Sequence, residues 1–259
     1  MEYVEINNFK KAFANFKGRL PFDHCVVDDF FKPGVAEILE AEFLEYENPK
    51  WFYYKNAIED KKALNDWNQF PINTYKVFCE LMSPEFVKIL EEGMGARIYV
   101  DHGLHGGGWH MHGTGGNLNP HLDYSIHPKM SKLRKLNIIM YLSKDLKEEH
   151  GGHLGLYDHD PDKNEPGALR NEIQPKFNRA AMFDTTQNSW HGMSRPLTQP
   201  EGIYRKSLAI YYLTDITTGV DSRQRALFAP RDEQKNNNEI TELIRIRSDS
   251  KRFSEVYRK

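Results

Sequence analysis

The chain has little of what marks several specialised classes of protein. Its 259 residues include only two cysteines, Cys25 and Cys79, and neither belongs to a CxxC pair. A disulfide framework or a structural zinc site therefore has little support, and a reducing cytoplasm is the expected location.

The chain also lacks an excess of one charge and a long apolar run. Lys and Arg number 35 against 37 Asp and Glu, so no global basic field would attract nucleic acid. No stretch approaches the roughly 20 apolar residues that cross a bilayer, and the first residues show no basic segment followed by an apolar core. We therefore expect no nucleic-acid partner, no membrane insertion and no secretion.

The apolar pattern divides the chain near residue 98. We expect one domain over residues 1–220, with a helical part at about 30–95 and a β core at about 96–215. Helical spacing covers 33–47, and a second helix begins at a Ser-Pro pair and runs over 83–93. Residues 221–259 form an extension that packs on the core or frays, with a helix candidate at 239–247.

Short apolar segments separated by Gly, Asn, Asp and Pro predict strands. The predicted strands are 25–27, 98–100, 118–126, 136–142, 153–157, 172–177, 180–183 and 204–213. No alternating helix pattern favours a parallel sheet, so the expected fold is mainly β with supporting helices, as in a sandwich or jelly roll.

His121, Asp123 and His191 are the strongest candidates for metal ligands. Residues two apart on a strand point the same way, so His121 and Asp123 can reach one ion, and His191 would come from another strand. Two imidazoles and one carboxylate on one octahedral face leave the opposite face open, which suits ferrous iron. The alternatives are a loop end at His121 and a buried His191 satisfied by a backbone carbonyl.

Arg205 lies in an otherwise apolar predicted strand, with Ser207 on the same face. A buried guanidinium needs an anion, and its planar fork suits a carboxylate. The alternative is an Arg on a solvent-facing surface or in a structural ion pair. Arg195 is a rival because it lies nearer His191 in the sequence.

The ordered set of His121, Asp123, His191 and Arg205 resembles the 2-oxoglutarate and iron(II)-dependent oxygenases, in particular their prolyl-4-hydroxylase-like branch. The resemblance covers about 102–213 and extends to 21–30. It implies a double-stranded β-helix, with Fe(II) on the two His and the Asp. It also implies that Arg205 binds the distal carboxylate of 2-oxoglutarate. Ser207 would lie beside Arg205, and the Tyr141 hydroxyl would add a hydrogen bond unless that ring only fills the core.

The resemblance further implies a reaction and a class of substrate. Dioxygen and 2-oxoglutarate would be consumed, succinate and carbon dioxide released, and an aliphatic C–H bond hydroxylated. Related halogenases have a small residue where this chain has Asp123, so hydroxylation is expected. The substrate would be prolyl or amino-acid-like, as a small molecule or within a peptide, with Trp109, His112 and Arg195 as candidate contacts.

Two other functions remain open from the sequence. The Gly- and His-rich stretch at 102–116 suits a lid or substrate loop, or a mere exposed connection, and its His110-x-His112 pair weakly suggests a cupin metal motif. A cupin-type metalloenzyme that does not use 2-oxoglutarate is one alternative. A jelly-roll binding protein without turnover is the other.

Overall fold

The computed structural model describes residues 1–257. Five α-helices are present: α1 Ile6–Phe13, α2 Val35–Ala41, α3 Ile72–Leu81, α4 Pro84–Met94 and α5 Asn238–Ser248. Short 3-10 helices cover Trp67–Gln69, Glu148–His150, Asp232–Gln234 and Phe253–Tyr257. In the described residues no helix is both long enough and apolar enough to cross a membrane.

Fourteen strands form two antiparallel sheets. The strands are β1 His24–Val27, β2 Phe52–Lys55, β3 Glu59–Leu64, β4 Tyr99–Val100, β5 Gly108–His112, β6 Asn117–Leu118, β7 His121–Leu122, β8 Leu133–Tyr141, β9 Leu154–Asp160, β10 Glu165–Ile173, β11 Ala180–Asp184, β12 His191–Met193, β13 Arg205–Thr214 and β14 Leu227–Phe228. The large sheet has the order β1-β11-β8-β13-β5-β3-β2, with β4 on β13 and β6 on β3. The small sheet has the order β10-β9-β12-β7-β14. The mainly β jelly-roll core that the sequence predicts is confirmed.

Strand β13 separates the hydrophobic core from the candidate site. Leu208, Ile210 and Tyr212 belong to the large core cluster that also contains apolar residues of α1, α3 and α4. Ser207 and Ala209, on the alternate positions, line a cavity between the sheets. Because side chains alternate along a strand, one face of β13 binds the helices and the other serves the site.

The predicted helices are partly correct. In α4, Ser83 Oγ accepts from the Phe86 N–H at 3.2 Å, and the helix ends at Gly95 in the left-handed region. The helix predicted over 33–47 is only the seven residues of α2. Helices α1 and α3 were not predicted, whereas α5 matches the helix expected at 239–247.

The strand predictions fail where glycine and proline interrupt the pattern. Residues 118–126 form β6 and β7 separated by Pro120 instead of one strand, and the strand expected at 172–177 ends at Ile173. Residues 102–116 are not a simple lid, because they contain β5 in the large sheet between β13 and β3. At Gly108, with φ of +90°, a Cβ would lie 2.3 Å from the Leu64 carbonyl oxygen, so only glycine allows this close pairing.

Candidate active site

The small sheet brings His121 and His191 together. They are directly paired across β7 and β12, and Asp123 follows β7 immediately. The His121 Nε2 atom lies 4.0 Å from Asp123 Oδ1, and His191 Nε2 lies 3.8 Å from Asp123 Oδ2. All three side chains are buried, and one ligand atom from each lies within 4.8 Å of the others.

Backbone carbonyls orient both imidazoles. His121 Nδ1 donates to the Asn119 carbonyl at 2.9 Å, and His191 Nδ1 donates to the Ser189 carbonyl at 2.8 Å. A carbonyl can only accept, so the proton of each neutral ring resides on Nδ1 and the Nε2 lone pair faces Asp123. Burial lowers the pKa of both histidines, that of His121 to about 3, which keeps them neutral as metal ligation requires.

The donor set fits ferrous iron. Two neutral imidazole nitrogens and one carboxylate are the facial set found in non-haem iron oxygenases. Asp123 Oδ2 is buried and has no hydrogen-bond partner within residues 1–257, so a cation would satisfy it. The three residues that the sequence indicated are therefore brought together in a geometry that can hold the metal.

Arg134, which the sequence reasoning missed, pairs with the carboxylate of this set. Its Nη1 lies 3.2 Å from Asp123 Oδ1, and its guanidinium lies 3.5 Å from the ring centroids of both Tyr124 and Tyr211. Burial opposes ionisation of Asp123, but the positive charge of Arg134 outweighs burial and lowers the pKa of Asp123. A charged residue in the apolar run of β8 is the same signal that marked Arg205, and it could have identified Arg134.

Arg205 lies on the cavity side of β13, 5% exposed. Its Nε donates to the Gly152 carbonyl at 2.9 Å, and within the described residues no carboxylate lies within 4.0 Å of its guanidinium. Ser207 faces the same cavity and pairs with Tyr141 across β13 and β8. The buried Tyr141 hydroxyl has no hydrogen-bond partner in residues 1–257, and the guanidinium carbon of Arg205 lies 4.9 Å from the Tyr141 ring centroid.

Of the three candidate substrate contacts, only His112 lines the cavity. It pairs with Arg205 across β5 and β13, and both of its buried ring nitrogens have no partner among the described residues. Trp109 belongs to the core cluster and stacks on Phe43 with ring centroids 5.0 Å apart. It lies one residue out of phase with His110 and His112, so it points to the opposite face of β5 and is not a substrate contact.

Arg195 also lies away from the cavity. Its side chain is 55% exposed, and its Nε lies 3.9 Å from Glu172 Oε1. The sequence treated Arg195 as a rival to Arg205 for the cosubstrate and as a possible substrate contact. Neither role suits an exposed side chain outside the cavity lining.

The segment after residue 221, to which the sequence assigned no chemistry, forms part of the site. Strand β14 pairs Phe228 with His121, and the two rings stack with centroids 5.0 Å apart. From α5, Arg247 reaches the cavity and its Nε lies 2.7 Å from Glu59 Oε1 on β3. The apolar residues of the 225–228 run were the sequence signal for a strand here.

The cavity measures about 260 Å³. The part of the cavity around His121, Asp123, His191, Arg134 and Arg205 is called the inner half. The part lined by Tyr54, Glu59, Lys61, Arg225 and Arg247 is called the outer half.

Comparison with known proteins identifies the family. The model of the 2OG-Fe(II) oxygenase superfamily matches residues 107–213, which include His121, Asp123, His191 and Arg205. Residues 107–213 form the core of a 2-oxoglutarate- and Fe(II)-dependent oxygenase. It uses Fe(II), 2-oxoglutarate and dioxygen, which agrees with the donor set above. The resemblance seen in the motif is confirmed, and the cupin and non-catalytic alternatives are not retained.

Solved structures share the oxygenase's fold. A prolyl hydroxylase from Trichoplax adhaerens, in complex with a hypoxia inducible factor peptide fragment, is 16% identical; the match covers 81% of this chain and 92% of that one, with a TM-score of 0.56. A Pseudomonas putida prolyl-4-hydroxylase is 15% identical over 79% and 99% of the two chains, with a TM-score of 0.55. A prolyl 4-hydroxylase from Phytophthora capsici is 19% identical over 96% and 80%, with a TM-score of 0.53. No curated protein sequence matches the chain.

Proposed function

We propose that His121, Asp123 and His191 hold the iron of this oxygenase, which hydroxylates an aliphatic C–H bond of a prolyl or other amino-acid-like substrate. Succinate and carbon dioxide are the co-products. The observation that carries the proposal is the convergence of two Nε2 atoms and one carboxylate in one buried cavity. The similar fold of three prolyl hydroxylases supports the substrate class.

Arg205, Ser207 and Tyr141 form the proposed site for the distal carboxylate of 2-oxoglutarate. A buried guanidinium with no carboxylate nearby in residues 1–257 supports this role. The orphaned Tyr141 hydroxyl supports it as well, because a buried hydroxyl without a partner is costly. Burial raises the pKa of Tyr141, which keeps its proton available for donation to a carboxylate.

Bound iron together with 2-oxoglutarate and dioxygen supplies the oxidising power for breaking an unactivated C–H bond. The protein's own residues hold and orient the reactants. The two carbonyl-anchored imidazoles keep their Nε2 atoms aimed at one point, and Arg134 holds the Asp123 carboxylate. Leu154, Ile139 and Phe228 line the cavity and restrict water around the reacting atoms.

Residues 1–220 are proposed to form a single oxygenase domain, with the segment from 221 packed upon it. Contacts such as the Arg247–Glu59 pair support the packing of that segment. A cytoplasmic location is supported by the two free cysteines, one buried and one exposed.

Anaerobic titration with Fe(II) and 2-oxoglutarate tests the site, followed by a mass-spectrometric metabolite and peptide screen with a succinate readout. We expect a weak visible charge-transfer band when 2-oxoglutarate chelates the iron, and a substrate mass increase of one oxygen atom. Loss of the band on replacing an exposed carboxylate such as Asp145, or its persistence without His191, would contradict the assignment of the ligands.

A further inference from the structure

The cavity contains more positive than negative charge. Its charged lining comprises five cations, Lys61, Arg134, Arg205, Arg225 and Arg247, and two acids, Glu59 and Asp123. Iron and 2-oxoglutarate bring opposite charges of equal size, so they leave this imbalance unchanged. The excess must be met by another ligand or by solvent.

Three of the cations have identifiable partners. Arg134 pairs with Asp123, and Arg247 pairs with Glu59. Arg205 has the distal carboxylate of 2-oxoglutarate under the proposed function. Lys61 and Arg225, both in the outer half, are left without an acid in the part of the chain that the structure describes.

The structure places no carboxylate within 4.0 Å of Lys61 or Arg225 in residues 1–257. Their charged groups lie near aromatic rings instead. Lys61 Nζ is 5.3 Å from the Tyr54 ring centroid, and the guanidinium carbon of Arg225 is 3.4 Å from that of Phe253. Cation–π contacts of this kind offset only part of the cost of taking a charge out of water.

The surroundings of these two groups disfavour their charge. Burial lowers the pKa of Lys61; Glu59 and Asp123 oppose this effect, while Arg247 and Arg205 add to it. Burial and Arg247 likewise lower the pKa of Arg225. The charge of Arg247 disfavours the charged forms of both groups, and a bound anion would offset that cost.

Lys61 lies two strands from Arg205 in the large sheet. It lies on β3, while Arg205 lies on β13, and β5 runs between these strands. Two strand spacings of about 4.8 Å place the two backbones about 10 Å apart. Both side chains face the cavity and are long enough to approach each other, so the affinity of a Lys61 variant for 2-oxoglutarate decides whether Lys61 serves the cosubstrate or the substrate.

We propose that the substrate carries a carboxylate, which Lys61 and Arg225 bind in the outer half of the cavity. The inference rests on the proposed function and narrows its substrate to an amino-acid-like acid, either free or at the C-terminus of a peptide. Both residues lie outside the 107–213 region that matches the family. They are specificity residues of this chain and take no part in iron binding.

Calorimetry on the Fe(II)- and 2-oxoglutarate-loaded protein tests the proposal. Without oxygen no turnover occurs, so the measured heat reports substrate binding alone. The probes are free and N-acetylated amino acids, proline included, each paired with its primary amide. We expect at least one acid to bind about 10-fold or more tightly than its amide, the worth of one charge-assisted contact. Lys61→Gln should reduce that preference to below about 3-fold, and Lys61→Arg should retain it.

Lys55→Gln is the matched control, since Lys55 is an exposed lysine on the neighbouring strand of the same hairpin. It should leave the preference unchanged. Equal binding of every acid and amide, binding of none, or a preference that survives Lys61→Gln would overturn the proposal. A weaker affinity for 2-oxoglutarate in Lys61→Gln would also overturn it, because Lys61 would then serve the cosubstrate.

The two proposals fail separately. If the unaltered protein does not bind Fe(II) and 2-oxoglutarate, the proposed function is wrong. If it binds both and shows no preference for acids, only the substrate inference is wrong.

Discussion

The inner half of the cavity is built by strands of the region that matches the oxygenase family, whereas the outer half comes from the β2–β3 hairpin and the segment after residue 221. The inner half contains the metal-ligand and cosubstrate candidates. The outer half contains one buried ion pair and two cations without acidic partners in residues 1–257. The difference indicates that one part of the molecule supplies the reaction and another selects what is oxidised.

Removing Asp123 is the strongest test of the inner half. Asp123→Ala should abolish iron-dependent succinate formation and lower Fe(II) affinity by more than about 100-fold, because the only anionic ligand of the set is lost. Metal titration and succinate release measure the effect. Asp145→Ala, at an exposed position after β8, is the control; equal losses in both variants would contradict the ligand role.

The ion pair of the outer half should matter for stability. Arg247→Gln leaves the fully buried Glu59 without its charged partner and with only the Tyr257 hydroxyl as a donor, and breaking such an ion pair costs about 3–5 kcal/mol. Denaturant unfolding measures the loss. The control is Arg245→Gln, whose exposed pair with Glu242 should contribute less than about 1 kcal/mol. If Arg247→Gln lowered the Fe(II) affinity as much as Asp123→Ala does, iron binding in the inner half would depend on the outer half.

Arg205→Ala tests the cosubstrate end. The loss of a charge-assisted contact should weaken 2-oxoglutarate binding by about 2–3 kcal/mol and leave Fe(II) affinity unchanged. Anaerobic titration of the charge-transfer band gives both quantities. Arg195→Ala should behave as the unaltered protein, and a larger effect there than at Arg205 would reverse the assignment.

Arg134→Gln should have the smallest effect on ligand binding. It removes the partner of Asp123 while retaining the ligand itself, so we expect Fe(II) affinity to fall by about 10-fold. The affinity of the iron-loaded variant for 2-oxoglutarate should stay unchanged. A fall in 2-oxoglutarate affinity with unchanged Fe(II) affinity would mean that Arg134 contacts the cosubstrate instead of holding Asp123.

Sequence patterns predicted strands that have regular alternation. Strand β13 is an example, because Leu208 and Ile210 face the core while Arg205 and Ser207 face the cavity, as their spacing indicates. The pattern failed in β5, where glycine and histidine outnumber apolar residues. That strand is stable because it is paired with β13 on one side and with β3 on the other. This pairing fixes the direction of Trp109, whose ring stacks on Phe43 in the core.

The outer half could not be found from local patterns. Glu59, Lys61, Arg225 and Arg247 come from three distant segments, and no pattern within one segment shows that it meets the other two. Only the pairing of β14 with β7 and the packing of α5 bring them to one cavity.

By itself the sequence determined the β-rich core, the iron-ligand candidates and an inward-facing arginine at position 205 that needs an anion, because strand alternation and ligand chemistry are local properties. The tertiary structure alone decided that Trp109 belongs to the core, that Arg134 holds Asp123, and that the last 40 or so residues complete the cavity. The physical reason is that burial and charge pairing depend on which distant segments meet, and no spacing along the chain encodes that meeting.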